Sequence, residues 1–257
     1  MGAHEHPRLG VSILCYNAAT TIVEVLDRLP ETVLDTTPFV IVADDASADD
    51  TVDIAEAWVK ESGRDEIEVV RRPHNLGYGA NQVASYRWAI EHELDVITLL
   101  HGDAQYPPEM VPDLVAPILD GETDGCFGSR MLVRGDARRG HMPIERRIGN
   151  RLLSSTQNVI TGVHLSEWHS GFRAFRVATL EKIDLDRVPP HFDVDTAMVL
   201  ELLDLDARIK EIPIPTHYAD EISYLNPWTT GLQILGRTLR HRWDHRSLPR
   251  FGPWGSA

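Results

Sequence analysis

What this chain lacks narrows its class before any motif is read. Among 257 residues there are only two cysteines, Cys15 and Cys126. Both stand in apolar, strand-like runs, so they read as small buried hydrophobes in a reducing compartment rather than as a disulfide or a metal clip. No apolar run approaches the roughly 18–20 residues a bilayer span requires. The opening "MGAHEHPRLG" carries no apolar signal-peptide core, so the expectation is a cytoplasmic protein. Basic charge is scarce: 25 Lys and Arg stand against 39 Asp and Glu, a formal net charge of −14, which repels a nucleic-acid backbone and argues against such a partner. Glycine-rich phosphate cradles are missing too. No G-x-x-x-x-G-K-[ST] occurs, "CYNAATT" follows the first strand, and the glycine pair of "NLGYGAN" (75–81) lacks the third glycine of a dinucleotide fingerprint.

What is present alternates. Strand patterns at 9–16, 38–44, 66–72, 94–100 and 124–130 are separated by helical patterns at 19–29, 51–60, 79–92 and 108–119. This rhythm predicts an α/β fold, a mostly parallel sheet with helices on both faces. After residue 130 it breaks into a basic loop, a helix near 144–161 and an apolar strand at 209–215.

In such sheets ligands bind beyond the carboxyl ends of the strands, and the polar clusters fall there. Tyr16-Asn17 follows the first strand, Asp44-Asp45 the second, and "HGDAQYPPE" (101–109) the fourth. One cluster could be a helix cap; three at successive strand ends favour a functional crevice. Asp49 and Asp50 read more simply as caps of the helix that follows them. Acids stand where other folds place glycine cradles, which suits a phosphate ligand if a divalent cation lies between. Asp103 and Gln105 supply hard oxygens of the right type for Mg²⁺ or Mn²⁺, and Pro107-Pro108 would stiffen the bend that turns both inward. Residues 130–151 hold seven arginines against Asp136 and Glu145, a basic segment that fits either an anion site or a solvated loop.

Taken in order, "LCYN", "ADDASADDT", "NLGYGAN", "HGDAQYPPE", "GSR" and "HSGFRAF" resemble a family 2 inverting glycosyltransferase. The similarity is greatest to the branch of dolichyl-phosphate mannose synthases and polyprenyl-phosphate glucosyltransferases, and it spans roughly residues 9–225. The resemblance implies a GT-A (Rossmann-like) domain over 1–225; by their own pattern residues 226–257 read as a C-terminal amphipathic extension. It implies a nucleotide-diphosphate sugar as donor, contacted by Tyr16, Asn17, Asp45, Asn75, Gly77, Gly79 and Asn81, with Ser170, Gly171 and Arg173 beside the transferred sugar. Asp103, Gln105 and His101 occupy the family's metal motif. Arg130 and Arg146 fall where the branch holds the acceptor phosphate. From the residues alone, Asn75, Gly77 and Gly79 fit a ligand better, with a turn and a close helix contact as the alternative.

The chain departs from the family pattern at several points. His101 stands in place of the first acid of the metal motif, Glu167 in place of an aspartate, Asn150 in place of a serine, and Tyr224 in place of a lysine. The chemistry implied is in-line transfer of a hexose, of mannose or glucose type, from a GDP- or UDP-sugar. A hydroxyl acceptor would need a general base, a role Glu167 fits. A polyprenyl phosphate is already an oxyanion, its second pKa being about 6, and would need arginines. The alternatives are transfer to a hydroxyl of a soluble glycan or metabolite, or a catalytically weak nucleotide-sugar-binding subunit of a membrane complex. In residues 228–246, Trp228, Leu232, Leu235, Leu239 and Trp243 recur along one helical face among arginines. That stripe predicts peripheral membrane contact or contact with a membrane subunit; packing against the sheet or against a second subunit accounts for it nearly as well.

Overall fold

The computed structural model describes residues 7–36, 39–65, 67–133, 142–215 and 227–244, with the side chains of 35–36 and 227–229 left out. Trp228 as a side chain, and Tyr224 altogether, lie outside that description. The expected strands form as β1 (Leu9–Cys15), β2 (Phe39–Asp44), β3 (Ile67–Arg71), β4 (Val96–His101) and β5 (Gly125–Ser129). Between them lie helices α1 (Ile22–Asp27), α2 (Glu31–Thr36), α3 (Thr51–Ser62), α4 (Tyr78–Glu91) and α5 (Val111–Leu119). Then come α6 (Ile144–Thr161), β6 (Arg173–Arg176), α7 (Val177–Leu180), α8 (Val194–Asp204), β7 (Ile209–Pro213) and α9 (Pro227–Asp244).

The strands form one sheet in the order β3-β2-β1-β4-β6-β5-β7. All pairings are parallel except those of β6, which runs antiparallel to both β4 and β5. This strand was not visible in the sequence. Its four residues, Arg-Ala-Phe-Arg, are too short for a period, and both arginines contradict a buried run. Helix α8 was missed for a different reason: it is buried almost all round, so it has no amphipathic stripe to read.

Side chains alternate across the sheet as a strand's period of two requires. From β1, Val11, Ile13 and Cys15 enter a core under α1, α2, α3 and α5, while Leu14 enters the opposite core with α4, α7 and α8. The register sets Cys15 beside Asp44 and Leu14 beside His101, so β1, β2 and β4 deliver their polar ends to one edge. Helix α9 packs on α6 and α8, burying Ile234 and Thr238 and leaving Leu232, Leu239 and Trp243 exposed.

Gly79 is fixed by close approach. A Cβ there would stand 2.4 Å from the Pro189 carbonyl oxygen and 2.6 Å from that of His191, both backbone atoms that cannot swing aside. Gly79→Ala is therefore expected to cost about 1–3 kcal/mol, as other overpacking changes do. Urea denaturation should show a lower midpoint with an unchanged m value.

Candidate active site

Where β1, β2 and β4 end, the backbone takes left-handed turns on residues other than glycine: Asn17 (φ 52°), Ala46 (φ 57°) and Ala104 (φ 58°). Such conformations are uncommon outside glycine and collect at functional sites. Each has an identifiable support. Asn17 receives the Ala48 N–H at its Oδ1 (2.9 Å) and donates its own N–H to Ser47 Oγ (2.8 Å). Asp44 accepts from Ser47 N at 2.9 Å and from the Ser47 hydroxyl. Asp49 accepts from Ala19 N and Thr51 N, each at 3.1 Å, so it ties α3 to the loop after β1. Asp50 makes no side-chain cap. Tyr16 is exposed at the mouth.

Asp45 spends both carboxylate oxygens on backbone, accepting from Leu76 N (2.8 Å) and Gly77 N (2.9 Å). It thereby sets the 75–77 turn, where Gly77 adopts φ 94°. Asn81 is buried and donates to the Ala43 carbonyl at 2.7 Å. These residues shape the crevice wall; Asn75 is exposed on its rim.

The left-handed turn at Ala104 carries the chain out of β4 between Asp103 and Gln105. The Asp103 carboxylate accepts only from backbone N–H groups among the described residues, Gln105 N at 3.1 Å and its own. Burial raises its pKa against those bonds and the nearby charge of Arg130. A half-buried carboxylate without a cationic hydrogen-bond partner, beside an amide, fits a divalent cation. No group of three or more His, Cys, Asp or Glu converges among the described residues, so protein donors alone make no complete shell. That suits Mg²⁺, which takes one or two carboxylates and completes its shell from a phosphate ligand and water.

His101 faces inward. Its ring meets Tyr78 and Tyr106 edge-on, at centroid distances of 5.4 and 4.9 Å, and Nε2 lies 3.2 Å from the Tyr78 hydroxyl. Any ligation by His101 therefore runs through Nδ1. Burial, opposed by Asp195 and reinforced by Arg130, lowers its pKa to about 4. Gly171 sits directly on this ring: a Cβ there would lie 2.4 Å from His101 Nε2. Gly171 N also donates to the Tyr106 hydroxyl at 2.9 Å. Next to it, the Ser170 hydroxyl is buried with no hydrogen-bond partner among the described residues. An orphaned buried hydroxyl costs about 1–3 kcal/mol, which a ligand oxygen would recover.

Beside this corner lies a buried ion pair. Arg130, at the end of β5, directs Nε to Glu167 Oε1 at 3.0 Å and Nη2 to the same carboxylate, while its backbone N–H reaches Oε2 at 2.8 Å. Asn150 of α6 adds a further bond to Glu167 Oε1 at 2.8 Å. Burial works to raise the pKa of Glu167, but the charge and hydrogen bonds of Arg130 outweigh it, and the carboxyl is held below the ordinary value. Glu167 is therefore ionised and saturated. His169 has Nε2 2.8 Å from Gln157 Oε1, and burial with the charge of Arg173 lowers its pKa to about 4.

Arg173 is fully engaged inside the protein, donating to the carbonyls of Ser170 (2.6 Å), Asp195 (2.9 Å) and Trp168 (2.6 Å). Its influence on a ligand passes through the loop it braces. Arg146 lies exposed in the first turn of α6, on the element that supplies Asn150 but outside the buried pair.

Three supports were not singled out from the sequence. Tyr78 bridges His101 and Asp195 (3.2 and 3.4 Å), and Tyr106 underlies Arg130, whose guanidinium sits 5.5 Å from the ring centroid. Glu211 of β7 accepts from Ser166 N, Ser166 Oγ and Glu167 N at 2.7, 2.8 and 3.0 Å. Only Glu211 left a sequence signal, an acid inside the apolar run "IKEIPIP".

Residues 11–184 match the family model described as glycosyl transferase family 2. An undecaprenyl-phosphate mannosyltransferase of Micrococcus luteus is 31% identical over 202 residues, 77% of this chain and 79% of that protein. A UDP-N-acetylglucosamine–dolichyl-phosphate N-acetylglucosaminyltransferase of Methanococcus voltae is 22% identical over 218 residues, 81% and 85% of the two chains. Among solved structures, glucosyl-3-phosphoglycerate synthase of Mycobacterium tuberculosis with Mn²⁺, UDP and phosphoglyceric acid superposes with a TM-score of 0.67. It is 20% identical, and the overlap covers 92% of this chain and 78% of that one. The fold is thus GT-A.

The two half-buried histidines, His101 and His169, make stability pH-dependent. Their folded pKa values, about 4, lie below an unfolded value near 6.5. The unfolded chain therefore binds more protons between these limits, and stability is full above pH 6.5 and lost as pH falls toward 4. Denaturation series across this window should show that decline. His169→Gln should flatten it by up to one proton's share, about 1.4 kcal/mol per pH unit.

Proposed function

This chain belongs to glycosyl transferase family 2, and from that premise we propose that it transfers a hexose of mannose or glucose type, with inversion, from a GDP- or UDP-sugar to a polyprenyl or dolichyl phosphate. The observation that carries the acceptor is the state of Glu167. Inverting transfer is a single in-line displacement at the anomeric carbon, and a hydroxyl nucleophile must give up its proton to a base with a pKa near the working pH. Glu167 is held below the ordinary carboxylate range and committed to Arg130 and Asn150. His169 is lowered to about 4. Neither is poised as a base. A phosphate acceptor arrives as an oxyanion and needs only orientation, for which Arg130 and Arg146 are placed at the end of β5 and the start of α6. The relatives named for undecaprenyl phosphate and dolichyl phosphate support the same acceptor class.

On the donor side, Tyr16 and Asn17 would contact base and ribose, and Asp45 fixes the turn through Gly77. The hydroxyl of Ser170, buried with no hydrogen-bond partner among the described residues, is offered to the sugar, and Gly171 lets that loop close on His101. A Mg²⁺ or Mn²⁺ ion held by Asp103 and Gln105 would supply the positive charge that offsets the leaving diphosphate. Glu167 is a positioning residue, holding the Arg130 fork. The exposed stripe of α9 supports peripheral attachment of the C-terminal extension.

Two measurements test this. Asp103→Asn should remove most Mn²⁺-dependent transfer from GDP-mannose or UDP-glucose, a loss of several kcal/mol on the scale of a catalytic metal; wild-type rates with unchanged metal dependence would reject the assignment. With a short polyprenyl phosphate, Arg146→Ala should cost about 1.5–3 kcal/mol in kcat/KM, the worth of a charge-assisted contact. Glu167→Asp should retain the wild-type pH profile. If Glu167→Asp instead moves an acid limb of that profile while Arg146→Ala is silent, the acceptor is a hydroxyl.

A further inference from the structure

Behind the ring of His101 lies a buried polar network whose hydrogen bonds run in one direction only. Asp195, at the start of α8, is 6 % exposed. A carboxylate only accepts, so its neighbours must donate. Gln82 Nε2 reaches Oδ1 at 3.2 Å, and the Tyr86 hydroxyl holds that amide the right way round by donating to Gln82 Oε1 at 3.0 Å. The Tyr78 hydroxyl donates to Asp195 Oδ2 at 3.4 Å. Its single proton is then spent, so toward His101 Nε2, 3.2 Å away, it accepts. His101 therefore carries its proton on Nε2. The lone pair is left on Nδ1, which makes no hydrogen bond among the described residues. Gly171 encloses the bond between ring and phenol, since a Cβ there would stand 2.4 Å from Nε2 and 2.7 Å from the Tyr78 oxygen. Arg173 anchors Asp195 in turn, donating to its carbonyl at 2.9 Å. A metal-ligating histidine is held in this manner: the nitrogen away from the metal donates to a partner fixed by a carboxylate.

We propose that Asp195, acting through Tyr78, is the positioning residue that keeps His101 in its Nε2–H form, so that Nδ1 joins Asp103 as a ligand of the divalent cation and shifts the site's preference from Mg²⁺ toward Mn²⁺. This rests on the reading of Asp103 and Gln105 as the cation site. Those two residues offer oxygen alone, which suits Mg²⁺. An imidazole is a softer donor and brings no negative charge, which favours a first-row transition ion. An acid at position 101 would have no tautomer to fix, so the relay has a use in ligation only where a histidine stands there.

Electron spin-echo spectroscopy of Mn²⁺ bound together with GDP or UDP reads the ligand set without turnover. Wild type should show a directly coordinated nitrogen whose coupling changes when the protein carries ¹⁵N-histidine. His101→Asp should show none, and competition titrations should find its preference for Mn²⁺ over Mg²⁺ reduced. Tyr78→Phe, which keeps a ring to stack on Phe192, and Asp195→Asn should each weaken Mn²⁺ binding about 10–100-fold, as loss of such a support does. In the His101→Asp background Tyr78→Phe should be silent, whereas a merely structural role for Tyr78 would persist there. Should Asp195→Asn fail to fold, the wild-type nitrogen signal and the Tyr78 cycle still decide. A histidine nitrogen with unchanged Mn²⁺ affinity in Tyr78→Phe overturns the positioning role. Mn²⁺ that binds wild type, is lost in Asp103→Asn and shows no histidine nitrogen overturns the inference while the cation site stands. No Mn²⁺ bound with either nucleotide rejects the cation site and the inference with it.

Discussion

The ion pair between Glu167 and Arg130 is the contact on which the rest of the site depends. Both partners are buried, and each would be costly without the other: removing one member of such a pair typically costs about 3–5 kcal/mol, because an uncompensated charge remains inside. The pair reaches in several directions. Arg130 leaves β5, Glu167 lies on the loop before β6, Asn150 comes from α6, and Glu211 of β7 grips the backbone at Ser166 and Glu167. A carboxylate held in this way orients an arginine fork and is a poor proton acceptor, so one arrangement sets the geometry of the fork and keeps Glu167 from acting as a base.

Around that pair the crevice is shaped more by backbone than by side chains aimed at a ligand. Asp45 is consumed by the 75–77 turn, Arg173 by three carbonyls, and Asn81 by the end of β2. Two groups stay without a side-chain partner among the described residues: Asp103, which accepts from backbone N–H groups, and the buried hydroxyl of Ser170. These suit a ligand carrying a cation and a sugar. The left-handed residues Asn17, Ala46 and Ala104 are the backbone strain that puts them there, stabilised by the surrounding hydrogen bonds.

Helix α6 serves the site through its polar face. Its polar residues face the loop at 167–169, and its aliphatic ones face outward. An amphipathic helix ordinarily turns its apolar side to the core; here the apolar stripe is left outside and the polar one is used within. That inversion distinguishes α6 from α3 and α5, which bury their apolar faces against the sheet.

The sequence alone determined the alternating α/β architecture, because helix and strand periods are local properties of the chain. It also determined which strand ends carry polar clusters, and, through six motifs in order, the family. Expected and observed boundaries of β1 to β5 differ by only a residue or two. Tertiary structure alone decided the rest. It placed β6 antiparallel between β4 and β5, a pairing set by long-range hydrogen bonds that four residues cannot announce. It turned His101 toward Tyr78 and Arg173 toward the loop carbonyls, where the motif by itself would have pointed both at a ligand. It also paired Glu167 with Arg130 across 37 residues of chain. A carboxylate's role follows from its pKa, and its pKa follows from burial and neighbouring charge, which are properties of the folded protein and not of the residue type.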